Sequence, residues 1–234
     1  MKNLRTSIGP VRERPFFKSQ EIEEICLSEL KKTDLLPEEP QPIRIDRFIE
    51  NRFKISPTYE DIGDGILGFT KFGTNGVEEI YVARSLDEEG TDTSNRRIRS
   101  TLAHEAGHGL LHAYIFALGA GNPSLFNNEQ PTEPKILCRE VVGTPSAVRR
   151  YDGRWWEYQA NKAMAALLLP KPLVQKVVRS FLEARGLLGG EVLSDDKRQE
   201  AVRKVSEIFD VNPIVAKFRL EEMYPLTESK QLSL

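Results

Sequence analysis

Residues 99–116, RSTLAHEAGHGLLHAYIF, hold all three histidines of the 234-residue chain: His104, His108 and His112. Four residues is slightly more than one helical turn, so the three share one stripe of a single helix. Glu105 lies inside the first interval and completes His104-Glu105-Ala106-Gly107-His108, the H-E-x-x-H pattern. Two imidazoles at i and i+4 can aim their nitrogens at one zinc ion, with the intervening glutamate placed beside it as general base. The bland alternative is a helix whose histidines face solvent or satisfy core hydrogen bonds. Context favours the metal: helix formers flank the pattern, and Ile98, Leu102 and Leu110 form an apolar side roughly opposite the histidines. His112 is not expected to be a ligand. It stands about 12 Å along a straight helix axis from His104, too far for one ion with bonds near ~2.1 Å. Packing, or a hydrogen bond to a ligand, is its expected role.

Upstream, TDTSN (91–95) offers several side chains to cap this helix, and Gly119 is placed to end it after about Leu118. Before it come two short strand candidates, residues 66–72 and 79–84. They are separated by Gly73-Thr74-Asn75-Gly76, whose Asn-Gly pair signals a hairpin. Residues 119–150 are rich in Gly, Pro, Asn and Thr and too long for an ordinary connection; they read as an insertion carrying Cys138. A second helix starts near Asp152 or Gly153 and runs through RWWEYQANKAMAALLL until Pro170 stops it.

The third ligand is expected on that second helix. Glu157, Ala160, Asn161, Met164 and Leu168 share one face, and a glutamate at the edge of such a face is costly unless paired or metal-bound. Alternatively, Glu157 is a surface residue that complements the dipole at the helix start. Glu129, Glu133, Glu140 and Asp152 are nearer in sequence, but in a loop-rich stretch or at a helix edge where exact placement is harder. Asn161 lies one turn beyond Glu157 and could hydrogen-bond the outer nitrogen of a ligating histidine, fixing its tautomer. Alanines 160, 163, 165 and 166 permit close approach of another helix.

Together, H-E-x-G-H-x-x-L-H (His104–His112) and E-x-x-A-N-x-A-x-x-x-L-L-x-P (Glu157–Pro170) resemble the ImmA/IrrE family of zinc metallopeptidases, over roughly residues 66–170. The resemblance implies an α+β fold: a mostly helical zincin-like core, a small antiparallel hairpin, and a C-terminal helix-turn-helix-like appendage. It also implies Zn2+ as cofactor, with His104, His108 and Glu157 as ligands and Glu105 as catalytic base. The substrate it implies is a protein, a helix-turn-helix repressor cut at few sites. Gln159 departs from the acidic residue the family often places before Ala-Asn, and the gap between the two motifs is longer than expected. Tyr151, Arg154, Tyr158 and His112 are candidates for steadying the oxyanion.

The rest of the chain frames this core. A basic, proline-containing arm covers residues 1 to about 20. An amphipathic helix follows from Gln20 to Lys31, with Ile22, Ile25, Cys26, Leu27 and Leu30 as its apolar set, and LLPEEPQP (35–42) is a linker. Ile45, Phe48, Ile49 and Phe53 mark another helix. Pro172 opens one carrying Leu173, Val177, Phe181 and Leu182 and closing at Gly186, and two more are split by FDVNP (209–213). The expected division is residues 1–42 as arm, helix and linker, 43–171 as the metallopeptidase domain, and 172–234 as the C-terminal helical region.

Net charge is −2, which gives no global attraction to nucleic acid or anionic membrane. Between Asp195 and Glu222 six basic residues face seven acidic ones, whereas a duplex-binding module normally has a basic surplus. No sequence-specific DNA binding is therefore expected, although a DNA-binding or zinc-sensing regulator without turnover is the rival function. Two cysteines without a C-x-x-C pair, and no apolar run long enough to span a bilayer or serve as a signal peptide, make a cytoplasmic protein without membrane attachment the expectation.

Overall fold

The computed structural model describes residues 2–5, 13–63, 65–114, 135–138, 155–184 and 191–225. In the N-terminal arm, β1 (Lys2–Arg5) pairs antiparallel with β2 (Glu13–Phe16). Helix α1 (Ser19–Lys32) begins where the Glu21 carboxylate accepts the Lys18 backbone N–H at 2.7 Å, and it buries Ile22, Cys26 and Leu30 at helical spacing. These three belong to the main core. Helix α2 (Ile45–Phe53) adds Ile45, Phe48 and Ile49 and stops at Lys54, whose left-handed φ of 61° turns the chain away.

A four-stranded sheet follows: β3 (Thr58–Glu60), β4 (Gly68–Gly73), β5 (Gly76–Ala83) and β6 (Lys135–Cys138), in the order β3-β5-β4-β6. The β4–β5 hairpin turns at Thr74-Asn75, with Gly73 paired to Gly76, whose φ of +117° excludes side-chain-bearing residues without strain. The sheet is mixed rather than antiparallel throughout, because β3 runs parallel to β5. Edge strand β6 comes from the segment read as an insertion and pairs antiparallel with β4, from Lys135 opposite Lys71 to Cys138 opposite Gly68.

After the short α3 (Arg84–Glu88), helix α4 (Asp92–Leu111) carries the histidines. Thr91 caps it: its hydroxyl accepts the Ser94 N–H at 3.0 Å while Ser94 Oγ accepts the Thr91 N–H at 3.0 Å. The expected two-sided helix is instead buried on every side from Ser100 to Gly109, since the sheet, α2, α3 and the next helix enclose it. The regular helix is interrupted at His112, whose φ is −122° although its N–H still donates to the His108 carbonyl at 2.9 Å, and residues 113–114 are again helical. Residues 115–134 and 139–154 lie outside the described residues, and with them the expected end at Gly119 and most of the insertion.

Helix α5, described from Trp155 to Leu168, crosses α4 closely. A Cβ on Gly107 would stand 2.9 Å from Ala163 Cβ and 3.0 Å from the Ala160 carbonyl oxygen, so only glycine facing alanines permits this approach. On the far side of α5, the Cys26 thiol lies 3.8 Å from the Ala163 carbonyl oxygen, where α1 packs. Helix α6 (Lys171–Val178) is shorter than the expected element, because Arg179–Phe181 form one 3-10 turn and Leu182–Ala184 become strand β7. Pairing with β8 (Glu191–Leu193) satisfies that backbone and buries Leu193, a hairpin contact that helical periodicity cannot register.

Helices α7 (Asp195–Phe209) and α8 (Pro213–Met223) match the expected pair, with Asn212 as N-cap and Pro213 in the first turn. Among the described residues no helix is long and apolar enough to cross a membrane. The fold is α+β and mostly helical, with a small mixed sheet and two separate two-stranded pairings, β1–β2 and β7–β8.

Candidate metal centre

One turn of α4 places His104 and His108 side by side, and α5 brings Glu157 against both. His104 Nε2 lies 3.0 Å from His108 Nε2 and 3.1 Å from Glu157 Oε2, and His108 Nε2 is 3.6 Å from Glu157 Oε1. A tetrahedral ion with bonds of about 2.0–2.1 Å sets neighbouring ligand atoms about 3.3–3.4 Å apart, and the distances among the two imidazoles and the two Glu157 oxygens lie around that value. Three ligand atoms of His104, His108 and Glu157 lie within 4.8 Å of one another, and this group could hold a metal ion. Glu129, Glu133, Glu140 and Asp152 are outside the described residues.

The outer nitrogens account for the inner ones. His104 Nδ1 is 3.1 Å from Asn161 Oδ1, so it donates there and leaves Nε2 with a bare lone pair. His108 Nδ1 is 2.9 Å from His112 Nδ1, which places His112 behind a ligand rather than on the ion. His104 Nε2 and His108 Nε2 face each other across 3.0 Å beside the Glu157 carboxylate, an arrangement of donor atoms that a cation between them would suit. The donor set therefore fits a metal.

The charge states agree. Burial would raise the Glu157 carboxyl, but His108 and His104 outweigh it and hold the group below the usual carboxylate range. Burial pulls His108 below the ordinary imidazole value, although Glu157 opposes the shift. His112 is drawn down to about 3 by burial and then by His108. The shifts of Glu157 and His108 favour the deprotonated forms that binding a cation requires.

Glu105 is fully buried beside this triangle. Strand β4 fixes it: Thr70 Oγ1 donates to Glu105 Oε2 at 2.6 Å, while Glu105 Oε1 has no hydrogen-bond partner among the described residues. Close packing of β4 on α4 makes this possible, since a Cβ on Gly68 would lie 2.5 Å from Thr101 Cγ2 and 3.6 Å from Glu105 Cγ. Burial pushes the Glu105 carboxyl up to about 8, with His104 and the Thr70 hydrogen bond opposing and Glu157 adding to the rise. That rise belongs to the metal-free site; a cation held by His104, His108 and Glu157 would oppose it and favour the ionised carboxylate.

Two residues at the centre escaped the sequence. Thr70 occupies the buried parity of β4, shared with Gly68 and Phe72; a polar residue at an inward strand position was its signal. Gln159 is buried, and its Oε1 lies 3.1 Å from His112 Nε2. Trp155, one turn before it, sets its ring edge-on to His112 at 5.5 Å between centroids. Of the oxyanion candidates, Tyr158 is exposed, His112 is engaged with His108 and Gln159, and Tyr151 and Arg154 lie outside the described residues. Compared with known proteins, the chain matches no family model and has no significant match among curated sequences.

Proposed function

We propose that the chain is a zinc-dependent endopeptidase that uses His104, His108 and Glu157 to hold the ion and Glu105 as general base. The observation that carries this reading is the buried Glu105 carboxylate, one oxygen tied to Thr70 and the other unpartnered, beside a triangle of metal-binding atoms. Zinc bound there would supply an acidified water and an electrophile for the scissile carbonyl. Thr70 holds Glu105 Oε2 still, so Oε1 is the atom that takes the proton of the attacking water and returns it to the leaving amine. Asn161 keeps His104 oriented while this happens.

The resemblance of both motifs to the ImmA/IrrE peptidases supports a protein substrate, specifically a helix-turn-helix repressor cleaved at few sites. Glu105→Gln is expected to retain zinc and to lose cleavage of a repressor that the wild-type chain cuts into discrete fragments in a chelator-sensitive way. A purified Glu105→Gln protein that cleaves at the wild-type rate removes the general-base role. Ragged degradation of many proteins, or none of any repressor, removes the substrate class.

A further inference from the structure

Gln159 stands outside the metal triangle, yet a continuous line of hydrogen bonds joins it to one ligand. Its Oε1 lies 3.1 Å from His112 Nε2; His112 Nδ1 lies 2.9 Å from His108 Nδ1; and His108 Nε2 faces His104 and Glu157. His108 and His112 are fully buried and Gln159 is 5% exposed, so bulk water cannot replace a missing partner in this line. A neutral imidazole has one donor nitrogen and one acceptor nitrogen, which makes the line directional. A carbonyl oxygen only accepts. Facing Gln159 Oε1, His112 Nε2 must carry its proton, so His112 Nδ1 is the acceptor. His108 Nδ1 must then donate, and His108 Nε2 is left bare toward the triangle.

We propose that Gln159 is a positioning residue that sets the tautomer of His108 through His112 and so presents His108 Nε2 to a metal ion. The inference rests on the metal site proposed above. It pairs with the role of Asn161, which does the same for His104 directly. At 100° per residue, Glu157 and Asn161 fall on one edge of the buried face of α5, and Trp155 and Gln159 on the other, with Ala160 and Ala163 between. One helix thereby supplies a ligand and both orienting amides. The Trp155 ring against His112 restricts the imidazole to the plane that the two hydrogen bonds need.

The chain has only three histidines, so a long-range imidazole 15N spectrum of histidine-labelled, metal-free protein resolves every tautomer. The expected result is His112 protonated on Nε2 and His108 on Nδ1; His112 protonated on Nδ1 overturns the proposal. Zinc affinity is then measured by chelator competition in wild type, Gln159→Met and Gln159→Glu. Methionine keeps the bulk without the acceptor, and is expected to mix the His112 tautomers and weaken zinc about 10–100-fold, as loss of an outer orienting partner does. Glutamate keeps the acceptor and is expected to hold the wild-type tautomers with affinity no weaker than wild type. Equal losses in both variants, or none in Gln159→Met, would reduce Gln159 to packing and overturn the proposal. Should Gln159→Met fail to fold, the wild-type spectrum and the affinity of Gln159→Glu decide. Wild-type protein that binds no zinc defeats the proposed function, whereas the metal-free spectrum tests the tautomer assignment independently.

Discussion

Gly107→Ala should behave against its helix propensity. In an ordinary helix interior this change stabilises by about 1 kcal/mol. Here the new methyl would stand 2.9 Å from Ala163 Cβ, 3.0 Å from the Ala160 carbonyl oxygen and 3.4 Å from Ala160 Cα. Carbon contacts prefer about 3.5–4.0 Å, so α4 and α5 must part locally by about 0.6 Å or more. Overpacking of this kind costs about 1–3 kcal/mol. Set against the propensity gain, the net effect runs from roughly neutral to a loss of about 2 kcal/mol.

The larger consequence is at the metal centre. His104 and His108 ride on α4 and Glu157 on α5, with the nearest inter-helix ligand pair 3.1 Å apart. A displacement of about 0.6 Å is large against the narrow tolerance of metal–ligand distances, about 0.2 Å. Zinc affinity should fall at least about tenfold, the equivalent of roughly 1.4 kcal/mol. Urea unfolding of metal-free protein and chelator competition measure the two effects separately. Adding Ala163→Gly removes the 2.9 Å contact but leaves the Ala160 carbonyl, so it should restore affinity only in part. A Gly107→Ala protein that is more stable than wild type and binds zinc equally well refutes the close-packing account.

Three further outcomes are expected. Glu157→Ala should strip zinc under mild dialysis, while Asn161→Ala weakens it about 10–100-fold, read by elemental analysis; full occupancy in Glu157→Ala would show that the ligand lies elsewhere. Because the folded-state pKa of His112 is lowered from 6.5 to about 3, the unfolded chain binds the extra proton first. Its contribution to metal-free stability is therefore complete above pH ~6.5 and lost as pH falls toward ~3; urea midpoints unchanged between pH 7 and pH 5 would contradict this. Cys26 is fully buried with its thiol raised by burial, so peptide mapping after native alkylation should find it unmodified until the chain unfolds.

What the sequence made legible is what periodicity encodes. His104 and His108 at four-residue spacing, and Glu157 with Asn161 at the same spacing, each report a face of one helix, and the structure brings those faces together. Thr70 and Gln159 were not legible in that way. Each acts through a partner on a different element, Glu105 across β4 and α4, and His112 across α5 and α4. Strands β3 and β6 were missed for a related reason: each is three or four residues long and exists because of a distant partner, not a local pattern. Gly107 sat in plain view inside the motif, but its closeness to Ala163 required the crossing of two helices to be known.

The C-terminal helices bear on the site through contacts of this same distant kind. Asp210, in left-handed geometry at the end of α7, accepts Arg96 Nε at 2.8 Å and Arg99 Nη1 at 3.4 Å, anchoring the first half of α4. Arg99 also donates to the Ile43 carbonyl at 3.1 Å, which ties in the segment before α2. At the other end of the centre, Arg219 of α8 is 1% exposed and donates through Nε to the Leu169 carbonyl at 3.0 Å, just past α5, while its guanidinium pairs with Glu23 of α1. Arg198 of α7 donates to the Leu193 and Tyr224 carbonyls. Two of the six basic residues counted in this region thus turn inward, while Asp210 pairs with Arg96 and Arg99 and Glu222 with Lys162, so no basic surplus arises there. Removing a partner from a buried ion pair costs several kcal/mol, so Arg219 is held where it is by Glu23 and by the α5–α6 junction. These contacts make α7 and α8 a brace that fixes the two helices of the metal centre.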